Sequence, residues 1–156
     1  MPEPRNRIGE ILLTKGVIIP EQERKAAEIQ ARNPDRKFGE ILVHDLGVDH
    51  HTVFSELARL YAFREIDLRA ETLDDARVKF IKDILDALPE EVRNAAVLKQ
   101  ALPLRPADGQ RDVLMVITPD PTDREVASLA MRFGYRRPEI FYARRDAVEE
   151  LVRCGA

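Results

Sequence analysis

A chain of 156 residues with 44% hydrophobic side chains suits one ordinary domain or two small lobes, and it can bury a core. A formal charge of −3 argues against coating a nucleic acid polymer, which takes a basic surface, and apolar runs such as Val113-Leu114-Met115-Val116-Ile117 are far too short to span a bilayer. The opening Met1-Pro2-Glu3-Pro4-Arg5 lacks the apolar stretch of a signal peptide and the single Cys154 has no partner for an internal disulfide, so the chain reads as cytoplasmic and the cysteine as an incidental thiol.

In chain order, the first feature is a repeat. Arg7-Ile8-Gly9-Glu10-Ile11-Leu12-Leu13 returns at a 30-residue offset as Lys37-Phe38-Gly39-Glu40-Ile41-Leu42-Val43, which points to one supersecondary unit used twice. Ile8, Ile11, Leu12 and Lys15 have helical spacing, with Gly16 suited to the position just past the helix end. Pro20, Glu21 and Glu23 open a second helix that runs towards Gln30 and stops near Asn33-Pro34. The second unit repeats this hairpin: Phe38, Ile41 and Leu42 mark one helix, and Val53, Leu57, Leu60 and Tyr61 line the next, with Asp49 as its N-cap.

From Ala62 to Asp75 the periodicity fades into a linker anchored by Ile66 and Leu68. Val78, Ile81, Ile84 and Leu85 then predict a helix, and Pro89-Glu90-Glu91 starts another. Ala96-Val97-Leu98 and Ala101-Leu102-Pro103-Leu104 read as short extended pieces, Pro106 to Gln110 as a turn, and Val113 to Ile117 as a strand. Pro119 to Asp123 closes that strand and opens a helix that Gly134 ends. Ile140-Phe141-Tyr142 reads as a strand and Asp146 to Val152 as a last helix. The predicted class is α+β: an all-helical N-terminal lobe of two tandem hairpins (1–68), then a small sheet-and-helix lobe (69–156) whose open sheet is covered on one face.

Much chemistry is missing from the sequence. No glycine-rich phosphate loop, H-E-x-x-H, C-x-x-C or G-x-S-x-G occurs, so the chain reads as no enzyme, without catalytic residues, a metal site or a resident cofactor. His44, His50 and His51 lack a third ligand at workable spacing and read as solvated turn residues. Two features do stand out. Arg7, and Arg36 with Lys37, are placed at helix starts, where the dipole disfavours a cation, and Gly9 and Gly39 each cost about 1 kcal/mol of helix propensity relative to Ala. Either these groups converge on an anion or nucleotide, or Arg7 pairs with Glu10 and Lys37 with Glu40 while the glycines let the hairpins pack closely. The residues alone favour the packing alternative.

On these residues the sequence resembles the N-terminal domain of the type II secretion and type IV pilus assembly ATPases (general secretory pathway protein E and its pilus relatives). The family's ligand-binding version carries two tandem motifs that read R-L-G-x-x-L-x-x-x-G, then a spaced L, L and Q. Arg7-Ile8-Gly9, Leu12, Gly16, Ala27 and Gln30 match the first, with Glu23 where a leucine is usual. Lys37-Phe38-Gly39, Leu42, Val53 and Leu57 match the second, but Leu46 replaces the glycine and Leu60 the glutamine. Leu88-Pro89-Glu90, the strand Val113 to Ile117, Asp120-Pro121 and Gly134-Tyr135 extend the resemblance into the second lobe.

The resemblance implies a docking and regulatory module that binds cytoplasmic parts of the inner-membrane secretion or pilus platform, peripheral at that membrane through its partners and allied to a secretion ATPase. The alternative it implies is a cyclic di-GMP receptor, with Arg7, Gly9, Gln30, Arg36, Lys37 and Gly39 as the ligand-binding residues. The departures at Leu46 and Leu60 weaken that alternative, because an unpaired buried ligand group costs about 1 to 3 kcal/mol. The family's ATPase core does not follow within this sequence, which suits either a fragment of a longer protein or a free-standing copy of the domain.

Overall fold

The computed structural model describes residues 4–71 and 73–154, with side chains from Ile8 onward. Contacts divide the chain into two compact units, Met1–Leu60 and Tyr61–Ala156.

The first unit is the expected pair of hairpins: α1 (Pro4–Thr14) with α2 (Pro20–Arg32), then α3 (Phe38–His44) with α4 (His50–Leu60). The ends follow from local chemistry. Past α1, Gly16 takes a φ of +72° and the Val17 N–H donates back to the Leu12 carbonyl at 2.9 Å, the left-handed closure that glycine allows. The predicted cap of α4 is present, with Asp49 Oδ2 accepting from the Thr52 N–H at 3.0 Å. Helix α2 uses another device: Ile19 has no capping side chain, and its own N–H donates to Gln22 Oε1 at 3.0 Å. Leu12, Ile18, Ala26, Phe38, Ile41, Leu42, Val53, Phe54, Leu57 and Ala58 are buried, each large one contributing about 1.5–3 kcal/mol relative to exposure. Lys15, just past α1, pairs with Glu56 of α4 at 3.1 Å.

The turn after α3 departs from the repeat. The Val48 N–H donates to the Leu42 carbonyl at 3.0 Å, a span one residue longer than that from Val17 to Leu12. The left-handed position therefore falls on Gly47, at φ +70°, and not on Leu46. The second copy keeps its turn glycine, moved along by one residue.

The second unit begins earlier than the predicted boundary after Leu68. The Ile66 N–H donates to the Tyr142 carbonyl and the Tyr142 N–H to the Arg64 carbonyl, both at 2.9 Å, and Leu68 lies in this unit's core. The unit continues through α5 (Asp75–Asp86), α6 (Glu90–Leu98), β1 (Leu102–Ala107), β2 (Gln110–Thr118), α7 (Arg124–Ala130), β3 (Arg137–Tyr142) and α8 (Arg145–Arg153). Its sheet has the order β1-β2-β3, with β1 antiparallel and β3 parallel to β2. The parallel pair takes a crossover, which α7 supplies. Pro103 and Pro106 sit on the edge strand β1, where a missing N–H is tolerated.

Three expectations need correcting here. Ala96-Val97-Leu98 is the last turn of α6, because Ala96 is fully buried and the helix opened at Pro89 runs on until Gln100 turns at φ +55°. The segment from Pro106 to Gln110 is mostly strand, with the turn confined to Asp108 and Gly109. The sheet is covered on both faces, since Val113 through Thr118 are all buried although successive residues point to opposite sides. Gly134 ends the α7 segment as expected, at φ +92°. Among the described residues no helix is long and apolar enough to cross a membrane.

Candidate functional site

The repeated motif lies in the first unit, and its two copies are built differently. Helix α1 begins at Pro4, so Arg7 falls one turn inside it rather than at its start, and the Arg7 side chain lies outside the described residues. Gly9 is deeper still, where backbone N–H groups belong to the helix ladder and have nothing to offer a ligand. In the second copy Lys37 is the N-cap of α3, as the sequence places it, and Gly39 is the second helical residue.

Both glycines are buried, and each faces the second helix of its own hairpin. A Cβ on Gly9 would stand 3.2 Å from Glu23 Cγ, and one on Gly39 would stand 2.8 Å from Leu57 Cδ1, with Val53 and Phe54 close behind. The close approach is therefore within each hairpin, α1 on α2 and α3 on α4. Glu23, which takes a leucine's place in the first motif, is the residue that lies over Gly9. Glu23 is only half-buried and flexible, so Gly9→Ala is expected to be accommodated, with up to about 1 kcal/mol of stability gained from helix propensity and read as a higher denaturation midpoint.

Gln30 and Arg36 do come together, and Lys37 follows Arg36 as the α3 cap. Gln30 is 7% exposed, and its Nε2 donates to the Arg36 carbonyl at 3.0 Å, tying the end of α2 to the residue before the α3 cap. Its Oε1 is buried with no hydrogen-bond partner. Leu60, at the corresponding place in the second hairpin, has no amide with which to make such a tie.

The Arg36 guanidinium is already engaged. It meets Asp45 in a two-pronged pair, Nη2 to Oδ1 at 2.7 Å and Nη1 to Oδ2 at 3.0 Å, and reaches Glu40 at 3.5 Å. Glu40 is thus the partner of Arg36 as well as a candidate for Lys37. These hydrogen bonds raise the Arg36 pKa, and they draw the Asp45 carboxyl from its ordinary 3.8 down to about 2, with a smaller contribution from His44. A carboxyl depressed on folding stabilises the fold above its unfolded pKa and loses that contribution as pH falls. Asp45→Asn is therefore expected to flatten the acid limb of thermal stability between about pH 4 and about pH 2, measured against the parent protein.

The histidines have structural surroundings: His50 stacks on Phe54 with ring centroids 4.2 Å apart, and His44 lies 3.0 Å from Asp45. Cys154 is exposed.

No family model and no curated protein matches this sequence. Solved structures do. The structure of MshE with cdg (cyclic di-GMP) superposes with a TM-score of 0.64 at 20% identity, covering 94% of this chain and 96% of that one. The N-terminal domain of XpsE superposes with a TM-score of 0.50 at 17% identity, covering 98% and 97%. The chain has the fold of these domains. It is the fold implied by the resemblance to secretion and pilus ATPase N-terminal domains.

Within that fold, sequence reasoning did not find Asp45, which holds Arg36, or Glu23 as the cover of Gly9. The only sequence signal for Asp45 was an acid just past α3, nine positions from its partner and outside any helical spacing.

Proposed function

We propose that this chain is a non-catalytic docking and regulatory module of a type II secretion or type IV pilus ATPase system, binding cytoplasmic parts of the inner-membrane platform. The observation that carries the proposal is the likeness to MshE and to the XpsE N-terminal domain over nearly the full length of all three chains. The site geometry agrees with it: the repeated glycines are filled by helix packing and Arg36 is held by Asp45, so much of the motif serves the hairpins themselves. On this reading the protein acts in the cytoplasm, peripheral to the inner membrane through its partners. A pull-down with the platform's cytoplasmic domains is expected to retain the protein, and a failure to retain it in either bait direction contradicts the proposal.

A cyclic di-GMP receptor is the second reading, and one observation favours it. The Oε1 of Gln30 is a buried acceptor without a partner, an arrangement that costs about 1–3 kcal/mol and that a ligand's donor would relieve. The solved structure of MshE includes cyclic di-GMP. Against it, a phosphate would have to take Arg36 from Asp45, and Leu60 offers no second amide. Calorimetry at tens of micromolar cyclic di-GMP decides: saturable heat that Arg7→Ala abolishes supports the receptor, and no heat contradicts it.

A further inference from the structure

Helix α5 carries a wider apolar face than its own core uses. Ile81 and Leu85 are fully buried, and beside them Phe80 and Ile84, with Leu88 just past the helix, form a second stripe that is only half covered. This stripe and Phe133 floor an open groove of about 410 Å³, which runs between the end of α5 and the Arg132–Gly134 turn. Met131, next to that turn, is 59% exposed. The two charges lining the groove differ in state. Asp83 is paired with Lys79 at 2.6 Å, whereas Arg132 has no ion-pair partner among the described residues. The unneutralised charge at the groove is therefore positive.

We propose that this groove is a docking site for an acidic amphipathic segment of a partner protein, which seats an apolar side chain on Phe80, Ile84 and Leu88 and sets a carboxylate on Arg132. An apolar floor supplies the burial and a single unpaired guanidinium selects the sign of the neighbouring charge. A small-molecule ligand fits less well, because the groove is open and offers few converging polar groups. The proposal rests on the docking reading for its class of partner and adds the place and chemistry of the contact.

The test is a titration of the isotopically labelled protein, followed by amide NMR, with a short amphipathic peptide bearing two leucines one helical turn apart flanked by glutamates. A second peptide replaces the glutamates with lysines. Shifts are expected at 80–88 and 131–134, with the acidic peptide binding at least about tenfold more tightly. Arg132→Glu, a change at an exposed position that leaves the core untouched, is expected to reverse that order. Millimolar acidic peptide that leaves these amides unmoved, or two peptides that bind alike, overturns the groove assignment. Retention by the platform domains is read separately, so the groove and the docking reading fail by different results.

Discussion

Gly39→Val is expected to destabilise the protein by about 1–3 kcal/mol, the usual cost of forcing extra carbons into a packed helix interface. The position leaves no room: a Cβ there already meets Leu57 Cδ1 at 2.8 Å, and Leu57 is itself buried among Val53 and Phe54. The small gain in helix propensity over glycine does not offset that crowding. Chemical denaturation of the variant beside Gly9→Ala separates the two copies of the motif, because the same glycine faces buried apolar side chains in one and a half-buried glutamate in the other. A Gly39→Val protein as stable as the parent would contradict the packing role given to this glycine.

Leu114→Ala is expected to cost about 2–5 kcal/mol, from lost burial and the cavity left behind. Leu114 is fully buried on the central strand β2, opposite Pro106 of β1 and Pro138 of β3. With strands on both sides and cover on both faces, few neighbours are free to close the gap. Leu98→Ala serves as the control, since Leu98 is 82% exposed and its loss is expected to stay within about 0.5 kcal/mol. Thermal melts of the two variants test the difference, and equal effects would contradict the assignment of β2 to the core.

The elements that were legible in the sequence are those fixed by local chemistry. Gly16 past α1, Asp49 before α4 and Gly134 past α7 each act through their own backbone and near neighbours, and each holds the predicted place. What escaped depends on partners distant in sequence or on burial. Leu98 extends α6 because the helix is anchored by Ala96 in the core, although Val97 alone suggests an extended piece. The shift of the turn glycine to Gly47 follows from one extra residue in the closure after α3, which an exact repeat reading takes as a loss. Cover on both faces of β2 did have a signature, the unbroken apolar run Val113 to Ile117, because a strand covered on one face alternates apolar with polar residues.

The candidate site was legible only in part. The motif contains Gln30, but not the tie that its side chain makes to the Arg36 carbonyl. It could not show that Asp45 engages Arg36 across nine residues, or that Glu23 and Leu57 occupy the space above the glycines. Those contacts come from the hairpin geometry, which brings together residues far apart in sequence.

The docking proposal is tested most directly by calorimetric titration of the purified protein with the purified cytoplasmic domains of an inner-membrane secretion or pilus platform. Saturable binding to one of those domains, without added nucleotide, is the predicted result. Absence of binding to every one of them, alongside saturable binding of cyclic di-GMP, would contradict the docking account and transfer the function to the receptor reading.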